Sequence, residues 1–139
     1  MRKSILPPIA IFTSILLFIG FFVYCYISSI EIHNIIADCF VKSDPYFPNY
    51  DDKINEDIFN HFRLSCYNDV ESGNKKDLSL SLIFGINNIF SDGMVFMNYS
   101  LEIRDSNGRL LSGSRNVPIT IHIKRFSTGW KIVQIDEAP

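Results

Sequence analysis

From Ser4 to Ile30 the chain runs for twenty-seven residues without a single charge, interrupted only by Pro7, Pro8, Gly20 and scattered Ser, Thr, Tyr and Cys. As a helix rising about 1.5 Å per residue, such a run is roughly 40 Å long, enough to cross a hydrocarbon core of about 30 Å with some overhang. The run therefore predicts a single membrane span, and everything after it reads as a tethered domain. Pro7 and Pro8 fall in the first turns, where backbone N–H groups have no intrahelical partner to lose. Tyr24 and Tyr26, toward the outer end, suit the aromatic belt of a membrane interface.

The flanks orient the span. Arg2 and Lys3 precede it and Glu31 follows, with Lys42 the next basic residue after it. The positive-inside rule then puts the N-terminus in the cytoplasm and residues 31–139 outside, on a single-pass protein of the cell membrane. A cleaved signal peptide is the competing reading. Its apolar region is typically about 7–15 residues with a small-residue cleavage site, whereas Ile9 to Ile27 is longer and Ile27-Ser28-Ser29 is a poor site. Nor does Tyr24 before Cys25 suit a lipid-modified cysteine. The expected division is residues 1–30 as cytoplasmic stub and anchor, and 31–139 as one extracytoplasmic domain large enough to bury a core unaided.

A net charge of −2 with dispersed basic residues argues against nucleic acid as a partner. Past the anchor, Ile32, Ile35, Ile36, Cys39 and Phe40 make an apolar helical stripe over Glu31 to Lys42, which can continue the anchor helix directly. The prolines of Ser43-Asp44-Pro45-Tyr46-Phe47-Pro48-Asn49 then impose a loop. Asp51 or Asp52 can cap a second helix carrying Ile54, Ile58, Phe59, Phe62 and Cys66 on one face and ending near Glu71-Ser72-Gly73-Asn74.

From Lys75 the period changes to two. Leu78, Leu80, Leu82, Phe84 and Ile86 predict the packed face of a first strand, and Val95, Met97, Tyr99, Leu101 and Ile103 that of a second, with Ser91-Asp92-Gly93 as the turn between them. Asp105-Ser106-Asn107-Gly108 marks the next turn. Val117, Ile119, Ile121 and Ile123 follow in phase, with Pro118 signalling a strand start, bulge or edge. Ser127-Thr128-Gly129 reverses the chain into Trp130 to Asp136, where apolar residues in both phases predict a strand covered on both faces. The fold class expected is α+β: after the span, two helices packed on a curved antiparallel sheet of about four strands.

That element order, together with Ile121-His122-Ile123-Lys124-Arg125-Phe126 followed by Gly129-Trp130-Lys131-Ile132-Val133-Gln134-Ile135, resembles the NTF2-like, cystatin-like cone fold. Small secreted or membrane-tethered bacterial members look similar at their C-termini. The resemblance covers residues 31–139 by element order and about the last twenty by residue pattern. One helix expected between the helical pair and the long strands is missing. What the resemblance implies is architecture; members serve as isomerases, dehydratases, transport adaptors and assembly domains of secretion and conjugation machines, so it leaves the activity open.

Enzyme members of that fold carry an acid–base pair in a conical pocket. By residue type Asp38, His33, His61, Tyr99 and His122 are the candidates, and none sits in a diagnostic motif. His33 and His61 read better as exposed or structurally hydrogen-bonded, and His122 as one of the polar sheet face; Tyr99, His122 and Glu102 remain as candidates for ligand contact. A lone phenol with an ordinary pKa of about 10 is a poor general base near neutral pH. No catalytic residue is assigned and no cofactor is implied. Cysteines at 25, 39 and 66 and three dispersed histidines make no metal signature, although Cys39 and Cys66 could pair. Trp130, the only tryptophan, reads as core. The chain is thus expected to be a non-catalytic, membrane-tethered module that binds protein partners or itself in an envelope assembly; the alternative is a small apolar ligand bound or isomerised in the cone.

Overall fold

The computed structural model describes residues 6–41, 46, 50–67, 73–87 and 91–138. It is an α+β arrangement: helix α1 (Leu6–Val41), a shorter helix α2 (Glu56–Tyr67), and strands β1 (Lys75–Asn87), β2 (Asp92–Arg104), β3 (Leu110–Phe126) and β4 (Gly129–Glu137). The strands form an open antiparallel meander in the order β1-β2-β3-β4.

Helix α1 is continuous over 36 residues, so the apolar run and the amphipathic stripe after it are one rod about 54 Å long at 1.5 Å per residue. Its two halves meet different surroundings. Ile9 to Gly20 is exposed throughout, whereas Cys25, Ser28, Ser29, Ile32, Ile35, Ile36 and Cys39 are buried, at spacings that trace one face. Ile9–Cys39 is long and apolar enough to cross a membrane by length and composition. Four of its serine and threonine hydroxyls are satisfied within the helix: Thr13, Ser14, Ser28 and Ser29 each donate to the carbonyl four residues earlier, at 2.6–2.9 Å. A polar group in an apolar environment is tolerable on that condition.

The buried face of α1 and the apolar face of α2 cover one side of the sheet. Phe59 and Phe62 from α2 join Ile32 and Ile36 from α1 over Val95, Met97, Ile119, Ile121, Ile123 and Ile132. Each phenylalanine buried this completely is worth about 1.5–3 kcal/mol relative to exposure. The predicted phases of β2 and β3 hold: Val95, Met97, Leu101 and Ile103, then Ile119, Ile121 and Ile123, are buried, with Tyr99 and Val117 half-buried on the same face. The Asp105–Gly108 turn forms as expected, the Asp105 carboxylate accepting from the amides of Asn107 and Arg109 at 2.9 and 2.8 Å.

Four expectations need correction. Ile54 is not helical: α2 begins at Glu56, and Ile54 makes a parallel bridge to Ile132, whose amide donates to the Lys53 carbonyl at 2.8 Å. The main chain of 53–54 thereby covers part of the outer edge of β4, which a helical turn there could not do. Second, Phe84 and Ile86 face outward, because the register shifts between Leu82 and Phe84 and the extra residue, Ile83, reverses the alternation. Third, Asp92 and Gly93 already belong to β2, opposite Lys124 and Ile123. Fourth, β4 is not covered on both faces. A bulge at Val133 lets Trp130, Ile132 and Ile135 all turn inward, with Gln134 and Asp136 outward, which explains apolar residues in both phases. Pro118 sits just past a bulge in β3. Its carbonyl accepts from Ala138 at 3.1 Å, so its ring nitrogen is directed at the side where β4 ends and no ladder donor is needed. The α2 end near residues 71–74 and the Cys39–Cys66 pairing lie outside the described residues.

Candidate functional site

The inner face of the sheet is taken up by core, so the polar chemistry gathers on the outer face. There the alternation that buries Leu101 and Ile103 turns Ser100, Glu102 and Arg104 outward. The β3 bulge then brings Arg115 across to them. At that bulge Asn116 adopts φ 51°, a left-handed conformation that Asn tolerates better than most residues, and its amide donates to Ser100 Oγ at 2.9 Å. Gly113 is required nearby: a Cβ there would lie 2.5 Å from the Leu101 carbonyl oxygen, so β2 and β3 could not approach as they do.

Glu102 is consequently clamped between two guanidinium groups. Arg115 Nε donates to Oε1 at 2.8 Å with Nη2 on the same oxygen, while Arg104 Nη2 donates to Oε2 and its Nη1 to the Gly108 carbonyl at 3.1 Å. The hydrogen bond from Arg104 and then that from Arg115 hold the carboxyl below the usual carboxylate range. A glutamate so held is an anion with three donors on its two oxygens, and a carboxyl held this low is a poor proton acceptor near neutral pH. A shallow depression of about 260 Å³ lies over it, lined by Asp77, Ser79, Ser100, Glu102, Arg115 and Asn116.

His122 lies elsewhere on the same face. Its Nε2 is 2.7 Å from Asp136 Oδ2, and Gln134 Nε2 donates to Asp136 Oδ1 at 2.9 Å. First Gln134 and then His122 keep the Asp136 carboxyl below its ordinary value. The pair borders an open groove of about 480 Å³ that includes Ile86, Met94, Lys124, Val133 and Gln134.

The predicted candidates are thus dispersed. His122 is registered with Met94, eight positions along β2 from Glu102, or about 26 Å at the usual strand rise. Tyr99 is on the opposite, core-facing side, packed against the buried cluster. His33 is half-buried on α1, 3.4 Å from the Leu80 carbonyl, and His61 is exposed on α2, 3.6 Å from Glu137. Asp38 is exposed on α1. Among the described residues no group of three or more His, Cys, Asp or Glu is placed to hold a metal ion.

Sequence reasoning overlooked Asp136, Gln134 and the two arginines. The signal for Asp136 was present in the double apolar phase of β4: a straight register from the Ser127-Thr128 turn would put His122 opposite Val133, and only a bulge brings Gln134 opposite and Asp136 to the diagonal. For Arg115 no such signal exists, since its position depends on the Asn116 conformation.

No family model and no curated protein matches this chain. One solved structure resembles it: the intermembrane space region of the chloroplast protein ARC6, at 12% identity and a TM-score of 0.47, over 78% of this chain and 90% of that one.

Proposed function

We propose that this chain is a membrane-tethered binding module, with residues 1–30 as cytoplasmic stub and anchor and 31–139 as an extracytoplasmic domain of the NTF2-like cone type that binds protein partners, or further copies of itself, in an envelope assembly. The observation that carries the reading is the division of α1: one unbroken helix, bare along its apolar N-terminal half and packed under the sheet along its C-terminal half. A bare apolar helix is costly in water and ordinary in lipid. Because the helix is continuous, the sheet is held at a fixed height and tilt above the bilayer, as a docking platform would need.

Support for binding over catalysis comes from the polar side chains. Those on the outer face are paired with one another along an open sheet, and the interior that an apolar ligand would have to enter is occupied by Phe59, Phe62, Met97 and the isoleucines. The polar outer face, with Glu102, Arg104 and Arg115 at one end and His122, Asp136 and Lys124 toward the other, is then the contact surface.

Protease shaving of spheroplasts tests the topology, with digestion of residues beyond Glu31 and protection of the N-terminus expected. Crosslinking in intact cells tests the surface. Lys124→Glu should weaken crosslinks to envelope proteins while leaving the thermal transition nearly unchanged, since exposed charges contribute little to folding, whereas Glu102→Lys should weaken them and also lower the transition, because it sets a third cation between Arg104 and Arg115. Unaltered crosslinks in both variants would remove the outer face as the contact surface.

A further inference from the structure

The end of the sheet nearest the anchor is apolar on its exposed side. Ile83, Phe84 and Ile86 at the end of β1, Met94 at the start of β2 and Phe126 at the end of β3 are all 43–59% exposed. The strand order puts them together: Phe84 is registered with Phe96 and Ile86 with Met94, and the β3–β4 turn at 127–128 lies at the same end as the β1–β2 connection. The bulge at Ile83 creates this patch, because without it Phe84 and Ile86 would point into the core.

Its height relative to the bilayer follows from α1. Gly85 lies against Ser29, which precedes Glu31, the first charge after the apolar run, by two residues. Tyr26, Ile27 and Ile30 on the same stretch of helix are exposed and apolar, and lipid that covers them reaches the level of Gly85. The flanking Phe84 and Ile86 are then at lipid level too. Between helix and strand runs a groove of about 370 Å³ walled by Phe22, Val23, Tyr26, Leu82, Ile83 and Phe84. Over the eight residues from Phe22 to Ser29 it extends about 10 Å along the helix axis, a length suited to part of an acyl chain. At the border of the patch stand an Arg125 guanidinium donating to the Tyr24 hydroxyl and the exposed Lys124, the groups that favour the headgroup layer.

We propose that the anchor-proximal end of the sheet is itself seated in the membrane interface, with Phe84, Ile86, Met94 and Phe126 among the acyl chains and a lipid tail in the groove beside Ile83. The occupant is lipid of the same bilayer that holds α1, so the inference rests on the proposed anchoring. The domain is then fixed on the membrane by two contacts, helix and sheet tip, and presents its opposite end, with the Asp105–Gly108 turn and Glu102, outward to partners.

The test replaces one residue at a time, in the full chain, with photoreactive benzoylphenylalanine: Phe18 in the anchor, Phe84 at the sheet tip, and Leu111 at the far end of β3. Each protein is reconstituted into vesicles of equal parts phosphatidylcholine and phosphatidylglycerol, irradiated, and weighed by mass spectrometry; Ile86 serves as a second tip position should the Phe84 replacement fold poorly. A lipid-mass adduct is expected at 18 and at the tip, with at least a several-fold weaker one at 111. An adduct at 18 and none at the tip overturns the seating and leaves the anchor standing, whereas no adduct at 18 overturns the anchor itself. Chain-to-chain products at the tip in place of lipid adducts also overturn the proposal and give the patch to a second copy. Equal labelling at 84 and 111 overturns it as well.

Discussion

Gly85 on β1 and Ser29 on α1 stand so close that a Cβ on the glycine would overlap the serine hydroxyl and come within 3.0 Å of its Cβ. The Ser29 hydroxyl is not free to swing away without cost, since it donates to the Cys25 carbonyl at 2.6 Å. This is where the apolar helix and the sheet are joined. Gly85→Ala should therefore destabilise by about 1–3 kcal/mol, as overpacking does. In the Ser29→Gly background the added cost should shrink, giving a coupling of about 0.5–3 kcal/mol in a double-mutant cycle of denaturant unfolding in detergent. Additive effects would mean that helix and strand do not touch there.

Trp130 is buried at the start of β4, within the cluster that includes Phe59 and Ile132, and the Arg125 guanidinium lies 5.6 Å from the centre of its ring. Its removal leaves a large void in that cluster. Trp130→Ala should cost about 3–5 kcal/mol, read as a lowered unfolding midpoint. An unchanged midpoint accompanied by loss of partner crosslinks would move the residue to a binding surface.

What was legible in the sequence was periodicity, and what was hidden was where periodicity breaks. The alternation of Val95 to Ile103 and of Val117 to Ile123 assigned the inner face of two strands, because burial on one side of a sheet demands period two. Among the described residues four insertions, at Ile83, at Leu111, around Arg115-Asn116 and at Val133, interrupt that alternation. Nothing local distinguishes a bulged residue from a paired one until the partner strand's register is fixed. Hence period two alone places Phe84 and Ile86 in the core and does not bring Asp136 to His122. Ile54 reads as helical because it stands four residues before Ile58, although its backbone is taken by Ile132. The continuity of α1 was legible in part: no proline or glycine separates Cys25 from Val41.

Tyr46 ties the segment before α2 to the core. Its hydroxyl donates to Asp51 Oδ1 at 2.8 Å and lies 3.1 Å from the Ile54 carbonyl, and its ring meets that of Phe59 at 5.3 Å. Burial foremost, then the bond to Asp51, pushes the phenol well above its ordinary value. An acid whose folded pKa is raised contributes stability while it stays protonated, and loses it as pH climbs above about 10 toward the folded value. Tyr46→Phe should thus leave the tyrosinate absorbance rise near pH 10 unchanged while lowering stability at neutral pH by about 0.5–1.5 kcal/mol per lost bond. A reduced rise in the variant would show that Tyr46 ionises normally and that these bonds do not hold it.

Asp136 sets the opposite dependence on the outer face. Gln134 and His122 favour its ionised form, as Arg104 and Arg115 favour that of Glu102. A carboxyl whose folded pKa lies below its unfolded value of about 4 contributes stability above that value and loses it as pH falls through the folded one. The acid limb of the stability curve should therefore flatten in the double variant Glu102→Gln, Asp136→Asn. Carboxyl-carbon NMR titration reads the partners: Gln134→Ala and His122→Ala should each raise the Asp136 midpoint, the first by losing a hydrogen bond and the second by losing a hydrogen bond and a charge. If neither variant moves it, the pairing across β3 and β4 is not maintained in solution. Were Asp136 instead to titrate above the ordinary carboxylate range, coupled to His122, the outer groove would hold a group tuned for proton transfer, and the binding-only reading of that face would have to be abandoned.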